Sequence, residues 1–197
     1  RSDQVCSSDL LGGKMKRFVR LTGIFLIAAM LCGTLTGCKA FDYRKAQKLC
    51  DKGEYLEASA LFSSLEDYKD SAEQANEAYR LYGVQLSESG NYEASILVLE
   101  TLVDTYAPAQ ETLNDVRIAY GEDLAKNQNY EKATEIFKTC EVNETLQSTL
   151  DEISKSLISQ EDYKDAYGFL YLHDTNEEWV QDFLYQYLSR QIGRAHV

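Results

Sequence analysis

Proline is almost missing from this chain, with Pro108 the one example in 197 residues. That excludes polyproline linkers and collagen-like segments, and it leaves helices with few forced breaks. Histidine is nearly as scarce at two residues. His173 has no cysteine or second histidine beside it to complete a zinc set, and at a helix end it reads as a solvated or capping side chain. Positive charge is also short: 20 Lys+Arg stand against 32 Asp+Glu, a formal charge of −12. Residues 38–190 alone carry 14 Lys+Arg and 30 Asp+Glu. Such a surface is repelled by phosphates and anionic headgroups, which argues against nucleic acid as a partner and against electrostatic docking on a membrane. It fits cationic partners or plain solubility.

Catalytic signatures are absent as well. There is no G-x-S-x-G, Walker A, H-E-x-x-H or dinucleotide fingerprint, so the chain reads as a non-enzyme with no metal and no cofactor. The acidic run 174–178 lacks the glycine and distal glutamate of a calcium loop and reads as helix capping. Asn143-Glu144-Thr145 fits a glycosylation sequon and reads as a helix start. Of five cysteines, Cys6, Cys32 and Cys38 fall in or beside the N-terminal segment. Cys50 and Cys140 lie in the first and third copies of the repeat described next, too far apart to pair in a stack, and read as packing or surface thiols.

What is present is a pattern returning every 37, 38 and 33 residues. A small residue (Ala46, Gly83, Gly121, Ser154) is followed three positions later by Leu49, Leu86, Leu124 or Leu157. Six further on comes Tyr55, Tyr92, Tyr130 or Tyr163, and then a second small residue, Ala58, Ser95, Ala133 or Ala166. An apolar pair closes each copy: Leu61/Phe62, Val98/Leu99, Ile136/Phe137, Phe169/Leu170. These periods belong to stacked helix pairs, so the fold class is all-α, an α-solenoid of about four helix-turn-helix repeats plus a C-terminal helix. The repeats run over about 42–66, 71–106, 108–140 and 143–173, with a terminal helix over 175–190. The repeated tyrosines account for much of a total of 14, which leaves little reason to invoke a sugar-stacking surface.

Local signals refine the boundaries. Gly53 suits the left-handed turn after the first helix, Gly90 the second, and Gln128 and Glu161 occupy the corresponding positions in copies three and four. Second helices are expected over Tyr55–Glu66, Tyr92–Tyr106, Tyr130–Cys140 and Asp162–Leu172. Ser71 with Gln74, and Thr175 with Glu178, form capping-box signatures. Pro108 fits the first turn of a helix. Gly83 costs about 1 kcal/mol in a helix interior, which a close helix crossing would justify. The last helix presents Trp179, Val180, Phe183, Leu184, Tyr187 and Leu188 as a wide stripe needing a cover, either another repeat or a fold back onto repeat four.

The two ends read differently from the rest. Val5–Leu10 and Ile192–Val197 can be encoded largely by one oligonucleotide on opposite strands, so 1–14 and 191–197 are expected to be adapter and upstream read-through, a genuine extension being the alternative. On that reading the natural protein continues past Arg190. From Met15, the basic Lys16, Arg17 and Arg20 precede an apolar run, Leu21–Leu31, which is short of the about 20 residues that span a bilayer. Leu35-Thr36-Gly37-Cys38 then resembles the lipobox of bacterial lipoproteins. The resemblance implies a signal peptide over 15–37, cleavage before Cys38, and covalent diacylglycerol on that cysteine, which anchors the chain at the outer face of a bacterial cell membrane. An uncleaved membrane anchor with an incidental cysteine is the alternative, and it leaves the body on the same side.

The repeat itself resembles the tetratricopeptide repeat: small residue, leucine, a Gly-x-Tyr turn, alanine, then an aliphatic or aromatic residue. It lacks the family's first-helix tryptophan and, for the most part, its closing proline. The resemblance implies a protein- or peptide-binding scaffold whose concave face comes from the first helix of each pair. The matching positions are Gln47, Asp51, Arg80, Val84, Glu88, Glu122 and Lys126, each of which also fits an ordinary solvated helix face. Expected partners are an envelope protein or peptide and the membrane, through the lipid. Two other functions fit: a docking or spacer part of a larger envelope enzyme continuing past Arg190, and a solute- or glycan-binding lipoprotein, against which the continuous helical repetition argues.

Overall fold

The computed structural model describes residues 38–172 and 178–195, the last six of these by backbone alone. Leu35, Thr36 and Gly37, the signal peptide, His173 and Thr175 lie outside the described residues. All regular structure among those described is helical, with no strand. Helix α1 covers residues 38–51, and there follow α2 (Tyr55–Ser63), α3 (Ser71–Glu88), α4 (Tyr92–Glu100), α5 (Pro108–Lys126), α6 (Tyr130–Phe137), α7 (Glu144–Ser159), α8 (Tyr163–Leu170) and α9 (Glu178–Ala195). None of the described helices is long and apolar enough to cross a membrane.

The sequence repeat is a repeat of geometry at its turns. After α1 the amide of Gly53 donates to the Cys50 carbonyl and that of Glu54 to the Leu49 carbonyl. The same two bonds recur as Gly90 to Ser87 with Asn91 to Leu86, Gln128 to Ala125 with Asn129 to Leu124, and Glu161 to Ile158 with Asp162 to Leu157, all at 2.9–3.1 Å. This is the Schellman ending, and it requires a left-handed residue. Gly53 and Gly90 supply it at φ 77° and 80°, whereas Gln128 and Glu161 adopt it at 60° and 62°. A side chain in that conformation costs about 1–2 kcal/mol, and glycine returns about 0.5–1 of this as extra entropy of the unfolded chain. Gln128→Gly is therefore expected to stabilise the protein by about 0.5–1 kcal/mol, a rise in Tm of roughly 2 °C. An unchanged or lowered Tm in a thermal melt would show that Gln128 makes compensating contacts.

The two small positions of each copy are where the paired helices cross. Ala46, Ser154, Ala58, Ser95, Ala133 and Ala166 are fully buried, and Gly83 and Gly121 are buried too. A Cβ on Gly83 would lie 2.9 Å from Leu99, and one on Gly121 would lie 2.5 Å from the Phe137 ring. Ser95 adds a buried bond, its hydroxyl donating to the Gly83 carbonyl at 2.6 Å.

The second helices are shorter than the pattern of apolar residues predicts. They end at Ser63, Glu100, Phe137 and Leu170 because the following residues close with tighter i→i−3 bonds, such as Leu65 to Phe62, Leu102 to Leu99 and Cys140 to Phe137. A hydroxyl at one repeated position, nine after the tyrosine, takes a carbonyl of this last turn: Ser64 to Leu61, Thr101 to Val98, Thr139 to Ile136, at 2.6–2.7 Å. Helix α3 also starts otherwise than its capping-box signature suggests. Ser71 is its first residue, fully buried and donating to the Tyr68 carbonyl, while Gln74 reaches back to the Asp70 carboxylate at 3.1 Å. Pro108 opens α5, and Asn143 caps α7 by accepting from the Leu146 amide at 2.9 Å.

The chain divides into two compact units, one ending at Ala75 and the other beginning at Asn76. In the first, Tyr43, Ala46, Phe62, Leu65 and Ala75 form the core. The Tyr43 ring meets Phe62 and Tyr68 edge-on at 5.3 and 5.8 Å, and its hydroxyl donates to Asp70 at 2.6 Å. That bond, helped by burial, pushes the Tyr43 hydroxyl up to about 12, and the same bond, against the effect of burial, holds Asp70 below the usual carboxylate range. The second unit centres on Ile118, Ala125, Ala133, Phe137, Leu146, Leu150, Leu157, Ala166 and Phe169, with a smaller cluster of Leu99, Leu113 and Val116. The repeated tyrosines here are half-buried, each ring lying against an aromatic of a later element: Tyr92 on Tyr120 at 5.1 Å, Tyr130 on Phe169 at 6.0 Å, Tyr163 on Phe183 at 6.4 Å.

Candidate binding groove

Within the second unit, α5 packs on both α6 and α7, and the α5 and α7 faces diverge enough to leave an open groove of about 200 Å³. One wall is Glu122, Ala125 and Lys126 of α5; the other is Glu152, Ile153, Ser156, Leu157 and Gln160 of α7, with Tyr130 at the start of α6. Ala125 and Leu157 are buried and form an apolar floor with the half-buried Tyr130 and Ile153. Lys126 and Glu122 pair across one helical turn at 2.6 Å, and that hydrogen bond raises the Lys126 pKa. Ser156 and Gln160 bond to each other at 3.1 Å on the opposite side. Glu152 is exposed and makes no ion pair among the described residues.

Two of the seven predicted face residues, Glu122 and Lys126, therefore line one groove. Arg80 is committed elsewhere: it grips Glu77 through two nitrogens at 2.7 and 2.8 Å and donates to Thr112 at 3.0 Å, while Tyr106 donates to Glu77 at 2.8 Å. The guanidinium holds the Glu77 carboxyl low, and Glu77 in turn raises Arg80. This half-buried network ties α3 to α5. Val84 is half-buried and Glu88 exposed on α3. Gln47 and Asp51 are exposed on α1 in the first unit, and Cys38 is exposed at the start of the described chain.

The groove residues of α7 were missed by sequence reasoning for a definite reason. Counted from the small residue of each copy, the predicted face holds positions one and five after it, Glu122 and Lys126 in copy three. The facing wall comes from the other edge of the next first helix, two before and two after its small residue, Glu152 and Ser156. Carrying the first register onto copy four selects Lys155, which instead pairs with Asp151 at 2.8 Å and covers the Trp179 ring at 4.8 Å.

The wall thus offers carboxylates, an ammonium group, hydroxyls and an apolar floor, suited to holding a side chain by burial and charge. No group of three or more metal-ligating side chains occurs among the described residues. Neither Cys50 nor Cys140 is in a disulfide, and burial pushes the Cys140 thiol up to about 11, away from the reactive thiolate range. In comparison with known proteins, no family model, no curated protein and no solved structure matches the chain.

Proposed function

We propose that this chain is a lipid-anchored, extracytoplasmic scaffold of tetratricopeptide-like repeats that binds a peptide segment of another envelope protein. The observation that carries the reading is the groove between α5 and α7. It lies between the first helices of two successive copies, the side from which the family resemblance draws its binding face, and it combines an apolar floor with charged rims. The four matched Schellman turns support the repeat reading independently of residue identity. The L-T-G-C sequence ending at Cys38 supports the anchor, and the acidic surface is consistent with attachment through lipid rather than through charge.

The test places a photoreactive residue at Ser156 in cells that process lipoproteins, with the same residue at Glu135, exposed on α6, as control. A discrete adduct from the membrane fraction is expected at Ser156 and not at Glu135, and Cys38→Ser should abolish lipid labelling and release the chain. Equal labelling at both positions, or none at Ser156, counts against the scaffold; lipid retained in Cys38→Ser removes the anchor.

A further inference from the structure

Resting on the peptide-binding reading, the geometry points to a lysine or arginine side chain, presented beside an apolar neighbour, as what the α5–α7 groove selects. The floor of Ala125, Ile153 and Leu157 with Tyr130 is an apolar sheath of the kind that accepts the methylene stem of a long cationic side chain. The volume of about 200 Å³ suits one such side chain rather than a stretch of backbone. At the rim stand two carboxylates in different states. Glu122 is already occupied by the chain's own Lys126 at 2.6 Å, so one lysine of this protein already makes the contact a ligand lysine would make. Glu152, on the facing wall, is exposed and has no cation among the described residues.

A cationic head entering the groove therefore meets an open carboxylate at Glu152 and competes with Lys126 for Glu122. An anionic head meets Glu152 unscreened, with only the committed Lys126 to attract it. The chain's formal charge of −12 works in the same direction by concentrating cations near the surface. Selection by charge with binding by apolar contact is the division of labour expected of a half-open site.

The experiment uses the full chain in a neutral detergent and three pentapeptides carrying an uncharged dye: Gly-Leu-Lys-Leu-Gly, Gly-Leu-Gln-Leu-Gly and Gly-Leu-Glu-Leu-Gly. Fluorescence anisotropy should rank them lysine, glutamine, glutamate, with about tenfold between the first two at low salt and less at high salt. Glu152→Gln keeps the shape of an exposed residue and should weaken the lysine peptide about two- to fivefold. Lys126→Ala frees Glu122 and should strengthen it about two- to threefold. Equal binding of all three peptides, preference for the glutamate peptide, or a lysine-peptide Kd unmoved by Glu152→Gln overturns the inference and leaves peptide binding standing. Binding of none also overturns it, and the Ser156 adduct then decides separately on the broader reading.

Discussion

Phe137→Ala is expected to lower the unfolding free energy by about 3–5 kcal/mol, the range for emptying a buried phenylalanine site. The ring is 2 % exposed and sits over Gly121 at the crossing of α6 with α5. It meets Phe169 edge-on at 6.0 Å, a contact that adds about 0.5–1.5 kcal/mol beyond area burial. Its neighbours cannot close the space cheaply. Ala133 and Ala166 are too small to reach in, and Gly121 has no side chain to offer. Because a domain of this kind has about 5–15 kcal/mol in total, the variant sits close to the folding threshold. Phe137→Leu keeps most of the apolar contact and should cost no more than about 1.5 kcal/mol. Urea titrations followed by helical circular dichroism compare the two. A cost below about 1 kcal/mol for the alanine variant would mean that this crossing is not a packed one.

Legibility in the sequence followed the range of the interactions. The helix pairs, their turns and the small residues at the crossings were readable because each is set within a dozen residues: leucine carbonyl, left-handed residue and tyrosine stand at fixed spacing. Even Gln128 and Glu161, the wrong residue types for a left-handed turn, could be assigned to it by register alone. Where distant contacts decide, identical local sequence takes different conformations. The tetrapeptide Asp-Tyr-Lys-Asp occurs twice with two outcomes. At Asp162–Asp165 it caps and enters α8, Asp162 accepting from the Asp165 amide at 3.3 Å. At Asp67–Asp70 it is a turn with Lys69 at φ 53°, because Tyr68 and the Lys69 ammonium pack on Tyr43, the latter 4.5 Å from its ring centre, and Asp70 accepts the Tyr43 hydroxyl. Asn114 escaped notice for the same reason. It is buried and clamps the backbone of Glu141, 27 residues away, by accepting from its amide at 2.6 Å and donating to its carbonyl at 3.2 Å. The groove was half legible, since one wall lies in the register of the repeat and the other depends on how two first helices face each other.

Gly121→Val is expected to cost about 3 kcal/mol, although glycine is a poor helix residue and its replacement would ordinarily help. Two effects oppose each other. Within α5, alanine in place of glycine gains about 1 kcal/mol of helix propensity, and valine gains less because its branched side chain loses freedom. Against this, the new Cβ would lie 2.5, 2.6 and 2.9 Å from three atoms of the Phe137 ring, inside any tolerable contact, and overpacking of a filled core costs about 1–3 kcal/mol before the extra methyls of valine are placed. The ring is fully enclosed at 2 % exposure and packed edge-on against Phe169, so it cannot retreat without disturbing that core. Gly168 in α8 isolates the propensity term, since the nearest atom to a Cβ there is the Thr134 hydroxyl oxygen at 3.9 Å, an ordinary contact. Gly168→Ala should stabilise by up to about 1 kcal/mol while Gly121→Ala does not. The crossing can then be tested as a pair. Copy two pairs Gly83 with Leu99, smaller than phenylalanine, whereas copy one holds Ala46 and Phe62 in one core, so the close approach that demands a glycine in copy three depends on how its own two helices are seated. Phe137→Leu removes the ring atoms that the new Cβ strikes, and in a double-mutant cycle it should make Gly121→Ala less costly than in the parent by about 1 kcal/mol or more. Strict additivity would show that the two residues do not share a contact, and with it the account of why copy three keeps a glycine would fall.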